Sequence, residues 1–305
     1  MGLNRFSVLL IGAGSLGTAI VKVLCGLEPK VIGVVDGDIV EKKNLLNQHI
    51  YTEDDAKGTI NKSKACVKHV SLSCKKTRFV SYPFYATDDN IDRLIRNYDI
   101  VIDATDGIQS RSVINSACIR KNKPLLVVSA KTDRGLFYVI TGKNACFNCI
   151  IRNSNLIDNS CASISTMLAN TLAILASSEL LSYVGKKNGN MPLYEFSLKS
   201  NDIEKYYIRK DPMCEVCGTS NPQRLDQYSG LIHACSGTIK FSFKKKANIR
   251  KIKRFFGGKS IIINDCLLLK NGNKSLLISK FGDVLMHGYD DKSARVVLLR
   301  ISSVI

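Results

Sequence analysis

The stretch FSVLLIGAGSLG, residues 6–17, and the stretch VIGVVDGDIVEKKNLLNQ, residues 31–48, decide how this chain folds. An apolar run enters a turn carrying Gly12, Gly14 and Gly17, and a second apolar run ends in Asp36, 19 residues after Gly17. Asn44 follows eight residues later. Strand, glycine turn, helix and acid-terminated strand form a pattern with a mechanism. The glycines let backbone N–H groups approach a phosphate at a helix N-terminus, and the acid can hold a ribose hydroxyl. The pattern predicts a nucleotide site and leaves NAD, FAD and ATP open. A tight strand-to-helix turn without a ligand is the bland alternative.

Outward from that turn, short apolar runs alternate with helical segments. Strands are predicted at 6–11, 31–35, 78–82, 99–103 and 125–129, and helices at 15–26, 64–73, 89–96 and 108–120. Such βαβ alternation predicts an α/β fold with a mostly parallel sheet and helices on both faces. Residues 136–141 read as a strand that leaves the alternation, and 164–181 as a buried helix rather than a membrane span. Residues 247–305 change character, with a basic helix and then short strands. Two domains are expected, at 1–240 and 247–305.

Bulk composition narrows the class. At 305 residues, 45% hydrophobic and 23% charged, the chain reads as a globular protein with a large core. No secretion signal opens it, so the expected location is cytoplasmic. Eleven cysteines then suggest reduced thiols, metal ligands or catalysis. Net charge is +18, which reads either as a lysine-rich solvated surface or as a match for an acidic partner. The densest basic run, FKKKANIRKIKRFFGGK at 243–259, has amphipathic helical spacing. A surface helix is expected there, without a membrane or an RNA contact.

Three features separate the site from a dinucleotide dehydrogenase, the common reading of such glycines. Asp38, Asn44 and Gln48 follow Asp36 where open α/β sheets bind ligands, and Lys64 can reach a phosphate as a point charge. The run IVIDATD, 100–106, puts Asp106 at a strand's C-terminal end, where it can hold Mg²⁺ against phosphates or cap the next helix. Cys146/Cys149 and Cys214/Cys217 form two C-x-x-C pairs with 64 residues between them. Two such pairs predict a tetrahedral Zn²⁺ site acting as a structural clip, with separate redox pairs as the alternative.

Taken in order, IGAGSLG, VDGDIVEKKNLLNQ, KSKA, DATDGIQSR, ACFNC, NSCASISTML and CEVC resemble the ThiF/MoeB/HesA family of ubiquitin-activating-like enzymes over residues 5–220. The tail, INDCLLLKNGNKSLLISKFGDVLMHGYDDKSAR, resembles the C-terminal module of some members. The resemblance implies a Rossmann-like, mostly parallel sheet with an antiparallel extension, plus a small C-terminal α+β module. It implies an ATP-dependent adenylyltransferase and a homodimer. The C-terminal carboxylate of a ubiquitin-like or sulfur-carrier protein, or of a peptide, would attack the α-phosphorus of ATP. Carried over by position, Gly12, Gly14 and Gly17 would cradle phosphates and Asp36 would bind ribose. Asn44 and Lys64 would contact phosphates, and Asp106 would bind Mg²⁺.

Two positions sharpen the expectation. The family's arginine, three residues after the asparagine, is Asn47 here, with Lys42, Lys43, His49 or Lys62 as candidate substitutes and Arg5 as the only candidate for an arginine reaching across a dimer. This departure motivates a second reading, a non-catalytic partner subunit that binds a carrier or a catalytic paralogue. Cys161, in NSCASISTML, falls where some members capture the activated carrier as a thioester. A small residue opening a helix is its structural alternative. Cys25, Cys66, Cys74, Cys118, Cys235 and Cys266 read as core or surface thiols.

Overall fold

The computed structural model describes residues 2–153, 164–186, 191–218, 232–234, 238–243, 245–257, 260–263 and 266–305. The apolar runs form the strands β1 (Ser7–Ile11), β2 (Val31–Val35), β3 (Arg78–Tyr82), β4 (Ile100–Asp103) and β5 (Leu125–Lys131). All five lie parallel. Then β6 (Arg134–Ile140), β7 (Leu193–Ser197) and β8 (Asp202–Tyr206) extend the sheet antiparallel. The eight-stranded order is β3-β2-β1-β4-β5-β6-β7-β8. The chain reverses direction across the sheet between β3 and β4. That switch lies beside the C-terminal ends of β1 and β4, where doubly wound sheets open a ligand crevice.

Helices cover both faces of this sheet. The chain adds α1 (Ser15–Gly26), α2 (Glu53–Lys57), α3 (Lys62–Ser73), α4 (Ile91–Arg96), α5 (Ile108–Arg120), α6 (Phe147–Asn153) and α7 (Thr166–Lys186). Alternate residues of β1 divide between two cores, as strand geometry requires. Val8 and Leu10 pack toward α1, α3 and α7, whereas Leu9 and Ile11 pack toward α4, α5 and α6. The long helix α7 is apolar enough by length and composition to span a membrane. Here Leu168, Leu172, Ala173, Ala176 and Leu180 bury one face of it against the sheet and α1, while Met167 and Ile174 are exposed.

A second, six-stranded antiparallel sheet has the order β11-β12-β13-β14-β10-β9. Its strands are β9 (Ile232–Ala234), β10 (Thr238–Ser242), β11 (Ser260–Ile263), β12 (Cys266–Asn271), β13 (Lys274–Ser279) and β14 (Asp283–His287), with α8 (Ile249–Phe256) and α9 (Asp291–Ser302). The module expected over 247–305 thus draws in two strands from the preceding segment. Its own core lies on one face, where Ile239, Leu276, Ile278 and Met286 meet Ile252 of α8 and Leu298 of α9. The basic run folds as the predicted surface helix, with Ile252 buried and Arg250, Lys251, Lys253 and Arg254 exposed.

Cys25 at the end of α1 and Cys74 just after α3 stand side by side, with their Cα atoms 5.7 Å apart. Sequence spacing gave no hint of it, because the packing of α1 against α3 brings the two together.

Candidate functional site

The glycine turn is built by contact. Gly12 has φ +97°, and a Cβ there would stand 2.7 Å from the Ala104 carbonyl oxygen, so a side chain would be both strained and obstructed. Gly17 faces inward, where a Cβ would collide with the Gly12 carbonyl. Its role in the fold is close packing of helix on strand. Gly14 caps α1, and a Cβ there would meet nothing within 4 Å. Open space therefore lies over the N-terminus of α1, on the cavity side.

Asp36 locks the turn to β2. Its Oδ2 accepts from Ala13 N at 2.7 Å and its Oδ1 from Asp38 N at 2.8 Å. Each oxygen keeps a lone pair for a further donor. Burial, and then the Asp38 charge, push its carboxyl above the usual range. Asp38 behaves oppositely. Burial alone would raise it, but Lys240 and Lys62 beside it hold it well below the carboxylate range. Lys62 Nζ lies 3.2 Å from Asp38 Oδ2, and Lys240 Nζ lies 3.3 Å from Oδ1. The Tyr85 hydroxyl donates to Oδ1 at 2.5 Å.

The segment after β2 forms a short 3₁₀ turn over Lys42–Leu46. Asn44 anchors it, its Oδ1 accepting from Glu41 N at 2.9 Å. Gln48 is buried, and its Oε1 finds no hydrogen-bond partner among the described residues. At the end of β4, Asp103 Oδ1 accepts from the Thr105 N–H and hydroxyl at 2.9 and 2.7 Å. Arg111, reaching up from α5, donates to the Thr105 and Val128 carbonyls. These bonds fix the turn that presents Asp106.

One cavity of about 1530 Å³ collects these groups. Gly12, Gly14, Asp36, Asn44, Asn47, Gln48 and Asp106 line it, together with Asp38, Lys62, Tyr85, Arg111 and Lys240. Gly17 and Lys64 do not. Lys64 is exposed on the first turn of α3, and the cavity lysine of that turn is Lys62, two residues earlier. Among the candidate substitutes for arginine, Lys43 lines the cavity and pairs with Glu41 at 2.8 Å, and His49 meets the Thr166 hydroxyl at 3.1 Å. Arg5 is exposed on the turn before β1. Sequence reasoning missed Tyr85, Arg111 and Lys240. Arg111 sat inside a quoted motif, but Lys240 carries no local signal.

Below the sheet, the Sγ atoms of Cys146, Cys149, Cys214 and Cys217 lie within 4.8 Å of one another. Neighbouring sulfurs are 3.9, 3.6 and 3.4 Å apart. A tetrahedral ion with ~2.3 Å metal–sulfur bonds has edges of about 3.8 Å, so the set fits zinc. The cluster has four protein ligands and sits in the core between α6 and the segment 211–218, which suits structure rather than catalysis. Cys161 lies outside the described residues.

A family profile described as the ThiF family matches residues 2–216. The chain belongs to that family. It is similar to the sulfur carrier protein ThiS adenylyltransferase of Bacillus subtilis, 25% identical over 95% of this chain and 90% of that protein. It is also similar to a sulfur carrier protein adenylyltransferase of Thermus thermophilus, 27% identical over 73% of this chain and 86% of that protein. Among solved structures, E. coli MccB with ATP aligns at a TM-score of 0.58 and 20% identity, covering 71% of this chain and 68% of that one. That likeness bears on fold alone.

Proposed function

We propose that this ATP-dependent adenylyltransferase activates the C-terminal carboxylate of a small sulfur-carrier or ubiquitin-like protein, or of a peptide. The observation that carries the reading is the convergence of Gly12, Gly14, Asp36, Asn44 and Asp106 in one cavity. Its volume of about 1530 Å³ exceeds the roughly 300–1,000 Å³ of ordinary small-ligand pockets. That leaves room for ATP and an extended tail together. A dinucleotide oxidoreductase would leave the Asp106 turn without a role.

In this scheme the N-terminus of α1 receives phosphate oxygens over Gly14, and Asp36 accepts from the ribose hydroxyls. Asn44 and the lysine of the α3 turn face the polyphosphate. Mg²⁺, held by Asp106, would neutralise charge on the phosphates. The carrier carboxylate attacks the α-phosphorus, the bond to the bridging oxygen breaks, and pyrophosphate leaves with the electron pair. Such a displacement depends on positioning and charge neutralisation rather than on covalent help from the protein. Transfer to Cys161 would then form a thioester and release AMP. A zinc ion at the four thiolates would tie α6 to the segment 211–218, and two copies of the chain would pair as a homodimer.

Incubating the purified protein with ATP, Mg²⁺ and a carrier ending in Gly-Gly should yield a carrier–AMP conjugate by mass spectrometry. A carrier that binds tightly yet never gains AMP would instead establish the partner-subunit reading that Asn47 motivates.

A further inference from the structure

The second sheet has two faces with different uses. Ile239, Leu276, Ile278 and Met286 point into its own core. The alternate residues point the other way. Leu268 pairs with Leu277, Leu277 with Leu285, and Leu285 with Lys240, a single row across four strands. All four line the nucleotide cavity. The sheet thus forms a wall of that cavity, and Lys240 stands at the end of the row.

Lys240 is well placed for an anion. Its side chain is 15% exposed, and its ammonium lies 3.3 Å from Asp38 and 5.2 Å from the centre of the Tyr85 ring. Lys62, held at the start of α3, already balances Asp38 at 3.2 Å. Asp38 therefore carries two ammonium groups, one from the start of α3 and one from β10. Burial lowers the Lys240 ammonium, but Asp38, Asp106 and Asp36 outweigh burial and keep it charged across the physiological range. Asn47, which cannot supply charge, lines the same cavity.

We propose that Lys240, carried into the cavity on β10, grips the ATP polyphosphate in place of the arginine absent at Asn47, so that the C-terminal sheet is a working wall of the nucleotide site. The inference rests on the adenylation reading. Without ligand the ammonium rests on Asp38. A polyphosphate, with several negative charges, competes with that single carboxylate, and the flexible lysine stem lets the ammonium move to it.

Calorimetric titration of the full chain with Mg-ATP and, separately, with adenosine tests this. Lys240→Ala and Lys240→Met should each weaken ATP by roughly 10- to 100-fold, the loss expected for one charge-assisted contact. Adenosine, which has no phosphate, should bind as to the parent chain, and Lys240→Arg should keep most of the ATP affinity. The methionine variant preserves the stem over Tyr85, and adenosine reports an intact pocket. Unchanged ATP affinity in both uncharged variants, or a parallel loss of ATP and adenosine in Lys240→Met, overturns the assignment of Lys240 alone. A parent chain that binds neither ligand overturns the adenylation reading together with it.

Discussion

Asp36 illustrates what a single side chain settles at this site. Its two oxygens hold Ala13 N and Asp38 N, so the acid that would meet the ribose also ties the glycine turn to β2. Asp106 has a more separable task. Asp106→Asn should lower kcat for adenylate formation by about 10²- to 10³-fold, as when a charge-stabilising group is lost from a transition state. The melting temperature should stay near that of the parent, because Asp103 and Arg111 hold the turn. Asn47→Arg should raise the rate by less than about tenfold, because Lys62 and Lys240 already bring cations to the cavity. A far larger gain would mean that the natural site is crippled. At this scale the sequence was legible where a motif fixes backbone geometry. Gly12, Gly14, Asp36, Asn44 and Asp106 line one cavity. It was less legible where helical phase decides. Lys64 and Lys62 share one turn, and only the docking of α3 shows which of them enters the cavity.

Among the elements, α6 and the segment 211–218 are too distant in sequence to find each other by local propensity, and four cysteine sulfurs from these two regions meet within 4.8 Å. Elemental analysis should find one zinc per chain. Cys214→Ser, or a strong chelator, should lower the melting temperature sharply, since binding energy at such a site counts as folding energy. A metal-free protein with unaltered stability would contradict the staple. Asp283, at the start of β14, supplies a pH test. Burial raises its carboxyl to about 6, although the Ser242 hydroxyl donates to it at 2.6 Å. Tyr85 and the Asp38 charge also face it. The native state therefore holds a proton that the unfolded chain has already released. The contribution of Asp283 to stability should be fully present below about pH 4, fall as pH rises to about 6, and then level off. Asp283→Asn should remove that fall and stabilise the protein at pH 7 by up to about 3 kcal/mol, measurable as melting curves against pH. The central strands were readable because β1, β2 and β4 are nearly continuous apolar runs set in βαβ alternation. The strands β9 and β10 were not, because they lie outside that alternation and take their identity from the antiparallel sheet that receives them.

At the scale of the whole molecule, the two sheets divide the labour. The parallel sheet presents the turn, the acids and the α1 N-terminus, and the antiparallel sheet encloses them with a leucine row and Lys240. Their contact is specific, with Lys240 on Asp38 and Phe281 6.3 Å from Phe84. No single-sequence signal announces this closure, since both faces of β12–β14 read as apolar and only tertiary packing shows which one meets the cavity. The +18 charge adds long-range attraction for an acidic carrier. The KM for such a carrier should therefore rise with ionic strength while kcat stays nearly constant. The central claim is adenylation of a carrier carboxylate, and isotope exchange tests it most directly. With Mg-ATP, radiolabelled pyrophosphate and a carrier ending in Gly-Gly, label should enter ATP at a rate that depends on the carrier and collapses in Asp106→Asn. Exchange that stays at background with every candidate carrier and peptide would contradict the account.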